Sequence, residues 1–212
     1  IGQQTGTSFL LVYPGGEVKV FEYIGASEAV EPRDISDDFF KGFDLLHITM
    51  YRLETAVEAA RRARGLGLGV SLDPGRVWSK RGLEYLKPLL INIDYLFLNE
   101  AEFFNLLGGD VERAFELGVK LVVVKRGARG ASAFVEGRGS FDEPAFEVEA
   151  IDTTGAGDAF DAAFLTALLE GRDVRYALRF ANAAGALKAT RKGARSSPMR
   201  EEVEKMVATR II

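Results

Sequence analysis

From Asp44 to Val124 the chain repeats one pattern, a short run of apolar β-formers followed by an amphipathic stretch, and that pattern limits the folds open to it. Leu45 to Thr49, Gly69 to Leu72, Tyr95 to Leu98 and Leu121 to Val124 predict strands. Leu53 to Arg64, Lys80 to Leu90 and the segment around Val111 to Leu117 predict the helices between them. Strands joined in this way run parallel through right-handed crossovers, and their sheet is covered on both faces. The fold class is therefore α/β, a doubly wound, mostly parallel sheet. Beyond it, three short β runs are expected between Ala131 and Val148, then three helices, Ala156 to Glu170, Val174 to Thr190 and Arg200 to Arg210. Ahead of it, Thr7 to Tyr13 and Glu17 to Tyr23, joined by Pro14-Gly15-Gly16, predict a β-hairpin. The second run alternates apolar with charged residues, which suggests a sheet with one wet face.

The 212 residues are the length of one domain with additions, a domain being about 150 residues. The 27 Lys and Arg against 31 Asp and Glu give a net charge of -4, which argues against nucleic acid or an anionic membrane as partner. No apolar run reaches the roughly 18 residues of a spanning helix. With no Cys in the chain, disulfides, thiolate metal sites and a cysteine nucleophile are excluded, and no export signal is visible, so a cytoplasmic setting is expected. Ile1 to Thr7 reads as the continuation of something earlier. Small-molecule chemistry is the function class that remains.

In open parallel sheets ligands bind beyond the carboxyl ends of the strands, so the strand-to-helix turns carry the information. The most suggestive is Asp152-Thr153-Thr154-Gly155-Ala156-Gly157-Asp158-Ala159-Phe160, which runs into a helix with Phe160, Phe164 and Leu168 on one face. Two glycines at a helix start let the backbone approach a ligand, and the unpaired amides there bind anions such as phosphate. Asp158 projects into the same positive field, where a carboxylate can accept a proton from an attacking hydroxyl. Taken alone, Asp158 is equally an acidic first-turn residue and the glycines a packing device. Neither common nucleotide fingerprint is present: there is no Gly-x-x-x-x-Gly-Lys-Ser/Thr, and Phe160 stands where a dinucleotide motif needs its third glycine. Gly65, Gly67 and Gly69 lead into a strand and look structural.

Asp152 to Phe160 resembles the C-terminal signature of the ribokinase-like (PfkB) family of sugar and nucleoside kinases. Three further motifs match in order. Asn99-Glu100-Ala101-Glu102 is similar to its Asn-x-x-Glu motif, Gly127-Ala128-Arg129-Gly130 to its Gly-x-x-Gly turn, and Ala181 to Ala186 with Arg191 to Ala194 to its closing helix and loop. The resemblance implies a ribokinase-like fold and transfer of the terminal phosphate of ATP or ADP to a hydroxyl of a sugar, sugar derivative or nucleoside. It implies Asp158 as general base and Gly155, Ala156 and Gly157 as the anion hole. Asn99 and Glu102 would organise Mg²⁺, while Lys125, Gly127, Gly130 and Asn182 would line the nucleotide cleft. Asp152, Thr154, Gly193 and Ser197 resemble loops that hold a monovalent cation such as K⁺ in some members. Residues 1–26 then read as part of a β lid and its return strand, and 27–212 as the nucleotide-binding and catalytic domain. The family's N-terminal paired-glycine acceptor motif is not visible before Thr7. Met50 and Tyr51, after the first parallel strand, should face the acceptor and hint at a pocket less polar than a free hexose wants. A non-catalytic nucleotide- or sugar-binding module is the alternative. The hairpin edge needs cover, which a homodimer would supply.

Other residues take plainer readings. His47, the single histidine, is expected as a buried, satisfied imidazole, and Trp78 as a turn anchor. Asp161, one turn from Asp158, is expected solvated or paired with an Arg. Lys125 is either a cleft residue or a surface charge, and Asn182 either flanks the base or fills a packing gap. Lys188, Arg191, Lys192 and Arg195 form a basic run without interleaved aromatics.

Overall fold

A computed structural model describes residues 4–13, 18–49 and 52–209. Strands β3 (Leu45–Ile48), β4 (Gly69–Leu72), β5 (Tyr95–Asn99) and β6 (Leu121–Lys125) pair parallel in that order, and β7 (Ala131–Val135) and β8 (Gly139–Glu143) extend the sheet antiparallel. The connections are α1 (Leu53–Gly65), the pair α2 (Gly75–Ser79) and α3 (Leu83–Leu90), and the pair α4 (Glu100–Leu107) and α5 (Glu112–Phe115). Helices α6 (Ala156–Leu169), α7 (Val174–Ala189) and α8 (Arg200–Ala208) follow the sheet.

Alternation along each strand divides the core into two layers. Leu96, Leu98, Val122 and Val124 face a cluster built with Ala56, Ala59, Ala60 and Ala63 of α1 and Leu86, Leu89 and Leu90 of α3. Phe97, Leu121 and Val123 point the other way, onto Phe160, Phe164 and Leu165 of α6 and the alanines of α7. The Phe97 ring meets Phe164 edge-on at 5.5 Å, and Phe160 stacks on Phe164 at 6.3 Å. These aromatic contacts hold α6 against the middle of the sheet, so its N-terminus lies over the strand ends.

The α/β expectation is met, with four differences in detail. The helix expected from Lys80 to Leu90 starts only at Leu83, because Gly82 takes a φ of +83° just before it, and a separate short helix, α2, precedes Lys80. The one around Val111 to Leu117 shrinks to Glu112–Phe115, with Gly118 at a φ of +92° closing it. Two strands, not three, lie between Ala131 and Val148, since Pro144 lacks the amide that would continue the ladder beyond Glu143. Helix α4 was not anticipated.

The hairpin forms a separate two-stranded sheet, β1 (Thr7–Val12) with β2 (Val18–Tyr23), in the register Thr7↔Tyr23 to Val12↔Val18. The expected single wet face is not what it shows: Phe9, Leu10, Leu11, Phe21 and Tyr23 are all exposed, so apolar side chains lie open on both sides of it. The chain returns from it at Gly25, where a Cβ would lie 2.4 Å from the Gln4 carbonyl. Among the described residues no helix is long and apolar enough to cross a membrane.

Candidate active site

The carboxyl ends of the four parallel strands converge. Thr49, Asp73, Asn99 and Lys125 follow or end β3, β4, β5 and β6, and all four line one cleft of about 710 Å³. Glu102, Gly157 and Asp158 line it too, and Val20 and Glu22 of the hairpin form part of its wall. A second cavity of about 420 Å³ lies on the other side of the α6 N-terminus, walled by Gly130, Phe146, Val148, Phe160, Asn182 and Ala186. Lys125, Gly127, Thr153 and Gly157 belong to both. A group passing from the smaller, more apolar cavity to the larger one crosses at Gly157.

Gly155 N-caps α6 with a φ of +83°, and a Cβ there would lie 2.9 Å from the Ala194 carbonyl, so the position needs glycine for both reasons. The Ala156 amide donates to the Thr153 carbonyl at 3.0 Å. The amides of Gly157 and Asp158 have no acceptor among the described residues and are the first-turn donors left for an anion, whereas the amide of Ala156, expected to share in the hole, is already paired. Asp158 is exposed to the larger cleft.

Lys125 is bracketed by carboxylates. Its ammonium donates to Asp73 at 2.7 Å and to both oxygens of Asp161 at 2.9 Å. Burial alone would lower its pKa, but Asp161 and Asp73 overrule that and hold it raised. Burial likewise raises the Asp161 carboxyl well above the carboxylate range, while Lys125 keeps the more open Asp73 below it. Asp161 is thus buried and paired with a lysine; neither solvent nor an arginine takes the role expected of it. A methyl group on Gly157 would lie 3.4 Å from Lys125 Nζ, which places the ammonium against the helix start.

Asn99 and Glu102 form a reciprocal cap on α4: the Glu102 amide donates to Asn99 Oδ1 at 2.9 Å and the Asn99 amide to Glu102 Oε2 at 2.8 Å. This accounts for the helix missed in the sequence, whose start signal was read only as a ligand motif. Burial raises the Glu102 carboxyl, with the Asn99 amide opposing it. Asn182 is buried, and its Nδ2 donates to the Glu143 carbonyl at 3.0 Å, pinning the chain that walls the smaller cavity. Gly130, at a φ of +91°, passes so close to β8 that a Cβ would lie 2.1 Å from the Glu143 carbonyl.

Asp152 ties two loops together: its carboxylate accepts the Thr154 amide at 2.9 Å and the Gly193 amide at 2.8 Å, which hold its pKa down at about 2. Ser197 lies in the same C-terminal loop, where its carbonyl faces the Arg191 guanidinium. Lys188, in sequence one of a basic run, is fully buried on α7. Trp78 is buried in α2. His47 is half-buried, its Nδ1 2.8 Å from the Ser71 hydroxyl, and burial lowers its pKa. Met50 and Tyr51 lie outside the described residues.

Residues 2–201 match the pfkB family carbohydrate kinases. The chain belongs to that family. A relative in Halopiger xanaduensis, an ATP-dependent ribose-1-phosphate kinase, is 40% identical over 208 residues, covering 98% of this chain and 69% of its own. A ribokinase of Arabidopsis thaliana is 32% identical over 97% of this chain, which spans 57% of the relative's length. Among solved structures, Arabidopsis thaliana ribokinase complexed with ribose and ATP superposes with a TM-score of 0.87 at 30% identity, covering 97% of this chain and 70% of that one. Thermotoga maritima ribokinase does so with a TM-score of 0.84 at 31% identity, covering 98% and 71%. The pfkB member described here is a phosphotransferase with an alcohol group as acceptor.

Proposed function

We propose that this kinase moves the terminal phosphate of ATP from the 420 Å³ cavity onto a hydroxyl of a pentose or pentose phosphate in the 710 Å³ cleft, with Asp158 as general base. The pentose follows from the relatives, whose names are ribose-1-phosphate kinase and ribokinase. The observation that carries the reading is the junction: two cavities share Gly157 at an amide-lined helix start, and Asp158 faces the larger of them.

In this reading the acceptor oxygen attacks the γ-phosphorus, the bond to the bridging oxygen breaks, ADP leaves, and the hydroxyl proton passes to the Asp158 carboxylate and on to water. The Gly157 and Asp158 amides stabilise charge on the phosphoryl oxygens, which is where phosphoryl transfer obtains most of its catalysis. Lys125 stands at the crossing with its charge fixed by Asp73 and Asp161. The hairpin that contributes Val20 and Glu22 closes the acceptor side as a lid.

Among the described residues no three carboxylates or imidazoles cluster as a metal cage, so a divalent ion would take most of its ligands from phosphates and water, as Mg²⁺ prefers. Glu102 fits such an ion: it lines the cleft, only its Oε2 is taken by the Asn99 amide, and a cation beside it would offset the burial that raises its carboxyl. The ion would neutralise charge on the nucleotide phosphates.

Asp158→Asn tests the role. Turnover falls about 10³–10⁴-fold, within the range for loss of a general base, while ATP affinity by calorimetry changes by less than about threefold. Undiminished turnover removes Asp158 from the role. A wild-type protein that binds ATP but turns over no sugar, sugar phosphate or nucleoside would favour the non-catalytic binding module.

A further inference from the structure

We propose that the ammonium of Lys188 is a built-in cation of the anion-hole loop, filling the place that an exchangeable monovalent cation would take, so that this chain works without K⁺. Lysine is almost never fully buried unless paired with a carboxylate, yet Lys188 has zero exposure and, among the described residues, no ion pair. Its Nζ donates instead to two main-chain carbonyls, Asp152 at 3.0 Å and Arg191 at 3.2 Å. A positive charge wrapped in carbonyl oxygens is how a protein coordinates an alkali ion, and an ammonium satisfies the same oxygens with directed N–H bonds.

The two carbonyls belong to the two loops that meet under Gly155. Asp152 begins the segment that ends in the α6 N-terminus, and Arg191 begins the loop that runs through Gly193 to Ala194. Lys188 Cε lies 3.6 Å from where a Gly155 Cβ would be, and the Ala194 carbonyl 2.9 Å from it. The ammonium therefore clamps the start of the anion hole to the last turn of α7. The amides of Ile151 and Asp152 strengthen the clamp by donating to the Ala189 carbonyl at 2.8 and 3.0 Å.

The residues expected around a monovalent cation do not fit one here. Asp152 has its carbonyl on Lys188 and both carboxylate oxygens on the Thr154 and Gly193 amides. An added ion on the Asp152 carbonyl would sit within a few ångströms of a buried like charge, and the two would repel each other. Lys188 is accordingly a positioning residue, acting through the loop and touching no substrate.

The inference rests on the kinase reading for its kinetic arm only. Initial rates with Mg²⁺-ATP and ribose 1-phosphate or ribose are compared in KCl, NaCl and choline chloride at equal ionic strength of about 0.1 M. Wild-type rates agree within about twofold, and the unfolding midpoint is the same in all three salts within about 1 °C. Lys188→Ala lowers kcat at least about tenfold with little change in the KM for ATP, and K⁺ or a small alkylammonium ion restores part of the loss where choline does not. A wild type that K⁺ activates about fivefold or more, or whose midpoint K⁺ raises specifically, overturns the proposal. So does a Lys188→Ala variant that keeps full kcat. Absence of turnover in every salt would sink the kinase reading, and the salt dependence of the midpoint would still decide the cation.

Discussion

Replacing Lys125 by Met removes the only cation that contacts Asp161 among the described residues, a carboxylate whose side chain is 1% exposed and has both oxygens 2.9 Å from the ammonium. Methionine keeps the length of the stem and forms no hydrogen bond of comparable strength, so the packing survives while the charge goes. Breaking a buried pair from one side costs about 3–5 kcal/mol, because the remaining ion has neither water nor a partner. Asp73, 17% exposed, recovers part of its solvation, so most of the cost falls on Asp161. Urea unfolding followed by circular dichroism, without nucleotide, measures it.

The loss should also depend on pH in a definite direction. Burial already raises the Asp161 carboxyl, and without Lys125 it rises further. A carboxyl whose folded pKa lies above its unfolded value is most favourable below the unfolded value, and its stability is lost as pH climbs through the folded value. The variant traverses a wider window of this kind than the wild type, while Lys125, held raised, stays charged in the wild type throughout. The gap between the two proteins therefore shrinks on going from about pH 7.5 to about pH 5. Adding Asp161→Asn to the variant should return at least half of the loss, since the uncompensated carboxylate is then gone. A gap under about 1 kcal/mol at the higher pH, or one that widens in acid, refutes the reasoning.

Three further substitutions separate backbone from charge. Gly130→Ala drives a Cβ into the Glu143 carbonyl at a φ of +91°, and should cost more than the roughly 1–3 kcal/mol of strain alone and weaken ATP binding. Gly127→Ala, at a φ of +58° with nothing within 4 Å of the new methyl, should cost only about 1 kcal/mol; equal losses in thermal unfolding would show that the close approach is not the cause. Glu102→Gln keeps an oxygen for the Asn99 amide, so α4 stays capped and stability changes by less than about 0.5 kcal/mol, while the Mg²⁺ concentration for half-maximal rate rises about tenfold or more. Unchanged Mg²⁺ dependence would move the ion elsewhere.

The sheet was legible because its signal is local. Each parallel strand is a run such as Leu121 to Val124 bounded by polar residues, and four such runs separated by helices admit few arrangements. The family resemblance was legible for the same reason, since Asp152 to Phe160 is contiguous. What failed locally was punctuation: Gly82, at a φ of +83°, delays the start of α3 beyond the point that apolar spacing alone suggested. Helix α4 was hidden because Asn99 and Glu102 carry a capping pattern that also reads as a ligand motif.

Buried charge was the least legible feature, and the reason is sequence separation. Asp161 meets Lys125 across 36 residues and Lys125 meets Asp73 across 52, distances at which no pattern in the chain says who pairs with whom. Nothing local to Asp73 marks it, although with Asp161 it keeps Lys125 charged at the crossing between the cavities. Lys188 shows the same limit more sharply. In sequence it is one of four basic residues near the chain end, yet α7 turns it inward by its position among Ala181, Ala184 and Ala189, and its acceptor Asp152 is 36 residues away. Helical spacing alone would have placed position 188 on the buried stripe four residues after Ala184, and a lysine there demands an acceptor that only the fold can supply. A lysine in phase with a buried alanine stripe is thus better read as an internal cation than as surface charge, and at this site that distinction decides whether a metal ion is needed at all.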